Sequence, residues 1–117
     1  MTGDNVVQEK SYQLALSIIK LVNSLAKSQV NHIIGNQLLR SGTSVGANVE
    51  EALAGYSKED FSFKMSIALK EARETHYWLR LIRDANLRAN SELDPIMGLT
   101  EEVMKILGAI VRSSRKK

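Results

Sequence analysis

Gly42-Thr43-Ser44-Val45-Gly46 spells G-x-S-x-G, the pattern that presents a serine nucleophile on a sharp strand-to-helix turn. Asp60 and His76 follow in chain order, so the residue types of a hydrolytic triad are present. That chemistry needs a parallel sheet beneath the turn, and no strand-like run precedes Ser44. The surrounding stretch from Ser41 to Ala47 is also rich enough in small residues to suggest a phosphate cradle. It lacks the Gly-Lys-Ser/Thr ending that a P-loop uses to hold phosphate and metal. Helical bundles build di-iron centres from Glu-x-x-His, but Gln29 stands three residues before His32 and Arg73 three before His76. With no cysteine in 117 residues, thiol catalysis, disulfides and cysteine zinc sites are absent. We assign no catalytic, cofactor-binding or metal-binding residue. The chain reads as a non-enzymatic protein, with a Ser44 hydrolase or a metal bundle as the minor alternatives.

The remaining candidates are charged and polar. Arg40, Ser44, Asn48 and Glu51 recur at spacings of four, four and three, and so share one side of a helix. Lys70 and Glu74 form a comparable pair further on. These residues are either a solvated face with i,i+4 pairing or a buried polar layer in which Arg40 meets Glu74 or Glu51. The basic residues Lys64, Lys70, Arg73, Arg80, Arg83 and Arg88 are interleaved with Glu71, Glu74 and Asp84, which by default describes a solvated surface. The formal charge is +3, but Arg112, Arg115, Lys116 and Lys117 close the chain, and the other 12 basic residues face 13 acidic ones. A nearly neutral body thus carries a basic tail over residues 112–117. Arg112, Arg115, Lys116 and Lys117, with Arg80 and Arg83, are the candidate nucleic-acid contacts, through phosphates and without sequence reading.

The elements that must position these residues are helices. Apolar residues recur every three or four positions, and glycine and proline are scarce. The chain is one domain, 1–117, with residues 1–8 expected as a flexible N-terminus. A first helix is expected over about 9–27, on the stripe Leu14, Ile18, Leu21 and Leu25. Ser28 then caps a second helix over about 29–55, through Leu38, Val45 and Val49. That apolar register passes through Gly42 and Gly46 without a phase change, so one continuous helix is expected there. Ser57-Lys58-Glu59-Asp60 resembles a capping box for a third helix over about 58–86. The fourth starts at Ser91 or at Asp94-Pro95 and runs through Val103, Leu107 and Ile110. Short connections between long helices give an all-α, antiparallel up-down-up-down four-helix bundle. The third helix carries a second apolar stripe, Phe63, Ile67, Trp78 and Leu81, beyond the one a bundle core requires. It is either a wide buried face within the monomer or, the favoured reading, an oligomer interface. The N-terminal residues do not form a signal peptide, and no run approaches the roughly 18 apolar residues of a membrane span. A cytoplasmic protein without a membrane partner is expected.

The segment from Gln37 to Ala52, QLLRSGTSVGANVEEA, resembles the second-helix signature of the four helix bundle protein family, also called the ribosomal RNA intervening-sequence protein family. The segment from Phe63 to Thr75, FKMSIALKEARET, followed by Tyr77-Trp78-Leu79, resembles its third-helix signature. The resemblance extends from about Tyr12 to Ile110. It implies a bacterial, cytoplasmic bundle that forms ring-like homopentamers. It also implies similarity to the accessory variability protein of diversity-generating retroelements, a pentameric bundle that binds nucleic acid and a reverse transcriptase. No catalytic residue transfers. The polar positions Arg40, Ser44, Asn48, Glu51, Lys70, Glu71 and Glu74 match. The expected function is therefore an oligomeric interaction module, with RNA, DNA or a nucleic-acid-processing protein as its partner. The alternative is a structural or regulatory protein–protein assembly factor without nucleic-acid binding.

Overall fold

A computed structural model of the chain describes residues 3–115. Four helices account for nearly all of them: α1 (Gly3–Ser24), α2 (Gln29–Leu53), α3 (Lys58–Asp84) and α4 (Asn90–Arg115). Their packing is cyclic. Helix α1 lies against α2, α2 against α3, α3 against α4, and α4 closes on α1. The cross-helix pairs fix the directions. Gln8 meets Glu50 while Gly35 lies beside Val22, and Glu51 meets Lys64 while Arg40 meets Glu74. Ser114 meets Ser62 while Glu101 meets His76, and Glu102 meets Lys10 while Arg88 reaches Ser24. In each case the order of the contacts runs in opposite senses on the two partners, with Arg88 standing just before the start of α4, so all four neighbours are antiparallel. The body is a rod of 48 × 22 × 19 Å.

One stripe from each helix fills the interior. Val7, Leu14 and Ile18, Leu38, Val45 and Val49, Met65, Leu79 and Ile82, and Leu93, Val103 and Leu107 are all fully buried. Burying side chains of this size supplies roughly 1.5–3 kcal/mol each, the dominant favourable contribution. Helix α2 is continuous through Gly42 and Gly46. At Gly42 an added Cβ would collide with Ile18, standing 3.0 Å from its Cγ2, so the missing side chain is what lets α1 and α2 approach.

The helix ends differ from the expected boundaries for local reasons. Helix α1 begins at Gly3 rather than Glu9, because Val7 extends the apolar stripe one turn further and is fully buried. Residues 3–8 are therefore helical, where a flexible segment was expected. The side chains of Ser28 and Ser57 accept from the backbone N–H of Asn31 and Asp60, both at 3.0 Å, and so start α2 and α3. Helix α3 stops at Asp84. Asn86 adopts φ 57°, and the N–H groups of Leu87 and Asn86 turn back to the carbonyls of Ile82 (2.9 Å) and Arg83 (3.1 Å). This is a Schellman closure with asparagine in the place that glycine usually takes. Neither Ser91 nor Asp94-Pro95 caps α4. The carbonyl of Ala89 receives Glu92 and Leu93 at 3.1 and 3.3 Å, and Pro95 lies inside the helix. Its missing N–H forfeits only the bond to Ser91, near the helix start where both residues are exposed.

Candidate interaction surfaces

The polar positions do not form one buried layer. Arg40, half-exposed on α2, reaches across to α3, donating through Nη1 to Glu71 (3.2 Å) and through Nη2 to Glu74. Trp78 Nε1 donates to the same Glu74 oxygen at 3.1 Å. These contacts raise the affinity of the Arg40 guanidinium for its proton, the Glu74 bond first. They hold the Glu74 carboxyl below the ordinary carboxylate range, the Trp78 bond first and then Arg40. Glu51 pairs separately with Lys64 (2.7 Å), and Asn48 donates to Ser44 Oγ (3.1 Å) and to the Ser44 carbonyl (2.9 Å). Lys70 is exposed. A solvated surface clasp thus stands where a buried layer was one alternative. The buried polar contact between these helices is a different one: Thr75 Oγ1 donates to Ser41 Oγ at 3.0 Å, with both residues fully buried. Nothing in the spacing of Ser41 and Thr75 distinguishes them from surface residues, except that each falls in the apolar register of its helix.

The hydrolase geometry is not assembled. Ser44 lies inside a continuous helix with its hydroxyl against Asn48, while His76 Nε2 sits 2.8 Å from Glu101 on the α3/α4 side. Among the described residues no three His, Asp or Glu side chains converge as a metal site would require.

The second stripe of α3 is graded in exposure. Phe63 is 61% exposed, while Ile67, Trp78 and Leu81 are half-buried. Two residues that sequence reading passed over extend this face: Val30 and Ile33 on α2, each 52% exposed. Ile33 lies two turns before Arg40 and on its side of α2. The α2/α3 face therefore has apolar residues toward both ends and the Arg40–Glu74–Trp78 clasp in its middle. A separate stripe of Tyr12, Leu16 and Ile19 is exposed on α1. Every exposed large apolar or aromatic residue among those described lies on α1, α2, α3 or the α2–α3 connection, and α4 carries none. Exposed apolar residues thus stand on three of the four helices, and α4 is the polar one.

The candidate phosphate contacts are dispersed. Arg83 is held by Asp84 (2.8 Å), a bond that raises the guanidinium and lowers the carboxyl from their usual values. Arg80 lies over the Tyr77 ring at 5.7 Å. Arg115 donates to Ser66 Oγ (3.2 Å). Arg112 has no ion-pair partner among the described residues and borders a groove between α3 and α4. Arg112 and Arg115 belong to α4, so the expected tail begins as helix; Lys116 and Lys117 lie outside the described residues.

No helix among the described residues is long and apolar enough to cross a membrane. No curated protein matches the chain. A solved structure from Bacteroides thetaiotaomicron VPI-5482, described as a protein of unknown function from the S23 ribosomal protein family, shares 40% sequence identity. It superposes with a TM-score of 0.88 over 95% of this chain and 99% of its own. The model of the 23S rRNA-intervening sequence protein family matches residues 3–109. With the bundle, its helix order and both polar motifs in place, the chain belongs to the 23S rRNA-intervening sequence protein family.

Proposed function

We propose that this chain is a non-enzymatic, self-associating bundle whose assembled surface engages a nucleic acid or a nucleic-acid-associated protein. The observation that carries the proposal is the uneven spread of exposed apolar residues over the surface. Phe63, Val30 and Ile33 with the clasp make one apolar-ended face, Tyr12, Leu16 and Ile19 make a second, and α4 stays polar. Two different sticky faces on one chain favour head-to-tail contact, and such a contact closes into a ring when the rotation per copy divides a full turn. A ring of five copies is the closure expected from the family resemblance. Repeating each weak cationic contact around the ring would raise avidity for a polyanion far above that of one copy.

Sedimentation velocity of the wild type and of Phe63→Glu, with and without a labelled RNA oligonucleotide, tests the proposal. We expect the wild type to sediment as a multiple of the chain and Phe63→Glu to dissociate and lose RNA avidity. A wild-type monomer would contradict the assembly. An assembly that ignores both RNA and DNA at low salt would favour a protein–protein scaffold instead.

A further inference from the structure

We infer that the groove between α3 and α4 is a phosphodiester-binding site, with Arg73, Lys105 and Arg112 as its cationic contacts. The inference rests on the reading of the protein as a nucleic-acid-engaging module and assigns that role to a particular place. The groove offers about 650 Å³ of open space and is lined by Leu69 and Met104 together with Arg73 from α3 and Lys105 and Arg112 from α4. None of these three cations has an ion-pair partner among the described residues, whereas Lys10, Arg40, Lys64, Arg83 and Arg88 all do.

The two carboxylates that border the groove are already engaged. Glu101 is held by His76 Nε2 at 2.8 Å, and Glu102 by Lys10 Nζ at 2.9 Å. Together with Lys10, the groove's three cations outnumber Glu101 and Glu102 and leave a net positive charge open to solvent. Its rim is low on the α4 side, because Gly98 and Gly108 carry no side chain there, and a Cβ at Gly98 would meet nothing within 4 Å. Lys105 and Arg112 are seven residues apart on one helix, about 10.5 Å along its axis. A single small anion cannot bridge that distance, whereas a chain of repeated charges can. Two guanidinium forks on opposite walls suit the paired oxygens of phosphates better than point charges would. Because α4 exposes no large apolar residue, this groove would face outward when the apolar faces are covered by other copies.

The test is fluorescence anisotropy of a labelled single-stranded RNA oligonucleotide with the full chain, titrated across a salt series. The variants are Arg73→Gln/Lys105→Gln/Arg112→Gln and, as an equal loss of charge elsewhere, Lys20→Gln/Lys27→Gln/Lys58→Gln. All six residues are exposed, so both triples should keep the wild-type helical signal and melting temperature. The groove triple is expected to weaken binding at least about tenfold and to flatten the log–log salt slope by about 2, close to 0.7 per lost phosphate contact. The control triple should leave the slope within about 0.5 of wild type on the same scale. Equal effects of the two triples, or a silent groove triple, would overturn the groove while leaving the nucleic-acid reading standing. Polyglutamate binding as tightly as RNA would overturn the phosphodiester assignment. Absence of any wild-type binding at low salt would overturn both readings together.

Discussion

Trp78 and Glu74, one helical turn apart on α3, share a hydrogen bond of 3.1 Å from the indole Nε1 to a carboxylate oxygen that also receives Arg40 from α2. Two donors on one oxygen favour the ionised form, which is why the Glu74 carboxyl stays charged to lower pH than a free glutamate. A depressed folded-state value contributes stability that is complete above the ordinary carboxylate range. That stability is lost as pH falls through the folded value. Glu74→Gln should therefore cost about 1 kcal/mol near neutral pH, and the difference from wild type should shrink steadily on acidification. Urea unfolding across a pH series reads this directly; a difference that grows as pH falls would contradict it.

The buried Thr75–Ser41 hydrogen bond calls for a double-mutant cycle. Each hydroxyl carries one proton and has a competing backbone acceptor on its own helix, Glu71 for Thr75 (2.8 Å) and Leu38 for Ser41 (3.3 Å), so the bond between them forms only when one hydroxyl gives up its backbone bond. Thr75→Val should cost about 1 kcal/mol, and the double variant Thr75→Val/Ser41→Ala should cost less than the sum of the two single changes. Strict additivity in chemical denaturation would show that the contact contributes nothing between the helices.

Three glycines should respond to alanine in different directions. Gly42→Ala forces a Cβ against buried Ile18 and should destabilise by about 1–3 kcal/mol despite the better helix propensity. Ile18→Val on that background removes Cδ1 and should restore part of the loss. Gly46→Ala places its Cβ 3.4 Å from the Ser11 carbonyl oxygen, an ordinary contact, and should be neutral or mildly stabilising. Gly98→Ala meets open space and should stabilise α4 by roughly 0.5–1 kcal/mol. Thermal melts of the three variants check the ordering, and a stabilised Gly42→Ala would refute the close approach of α1 and α2.

Much of this fold was legible in residue spacing. The stripe Leu14, Ile18, Leu21 and the register of Leu38, Val45 and Val49 through two glycines place two helices directly, because burial of one face dominates over local propensity. The helix ends were less legible. Asn86 closing α3 and Pro95 inside α4 depend on backbone geometry that residue type only permits. Arg40 meeting Glu74 was readable as a pairing, but its exposure was not, since the polar row is equally compatible with water or with a neighbour. The α3/α4 groove was invisible for a stronger reason. It depends on which carboxylates are already occupied, Glu101 by His76 and Glu102 by Lys10, and those partners are 25 and 92 residues away along the chain.

We propose that the exposed apolar faces of α1 and of α2/α3 are covered by further copies of the same chain. Native mass spectrometry of the purified wild type at micromolar concentration tests it most directly. We expect one closed species at a fixed multiple of the chain mass, five by the family expectation, converted to single chains by Phe63→Glu. A wild-type spectrum made up of single chains, unchanged by Phe63→Glu, would rule out self-association through these faces.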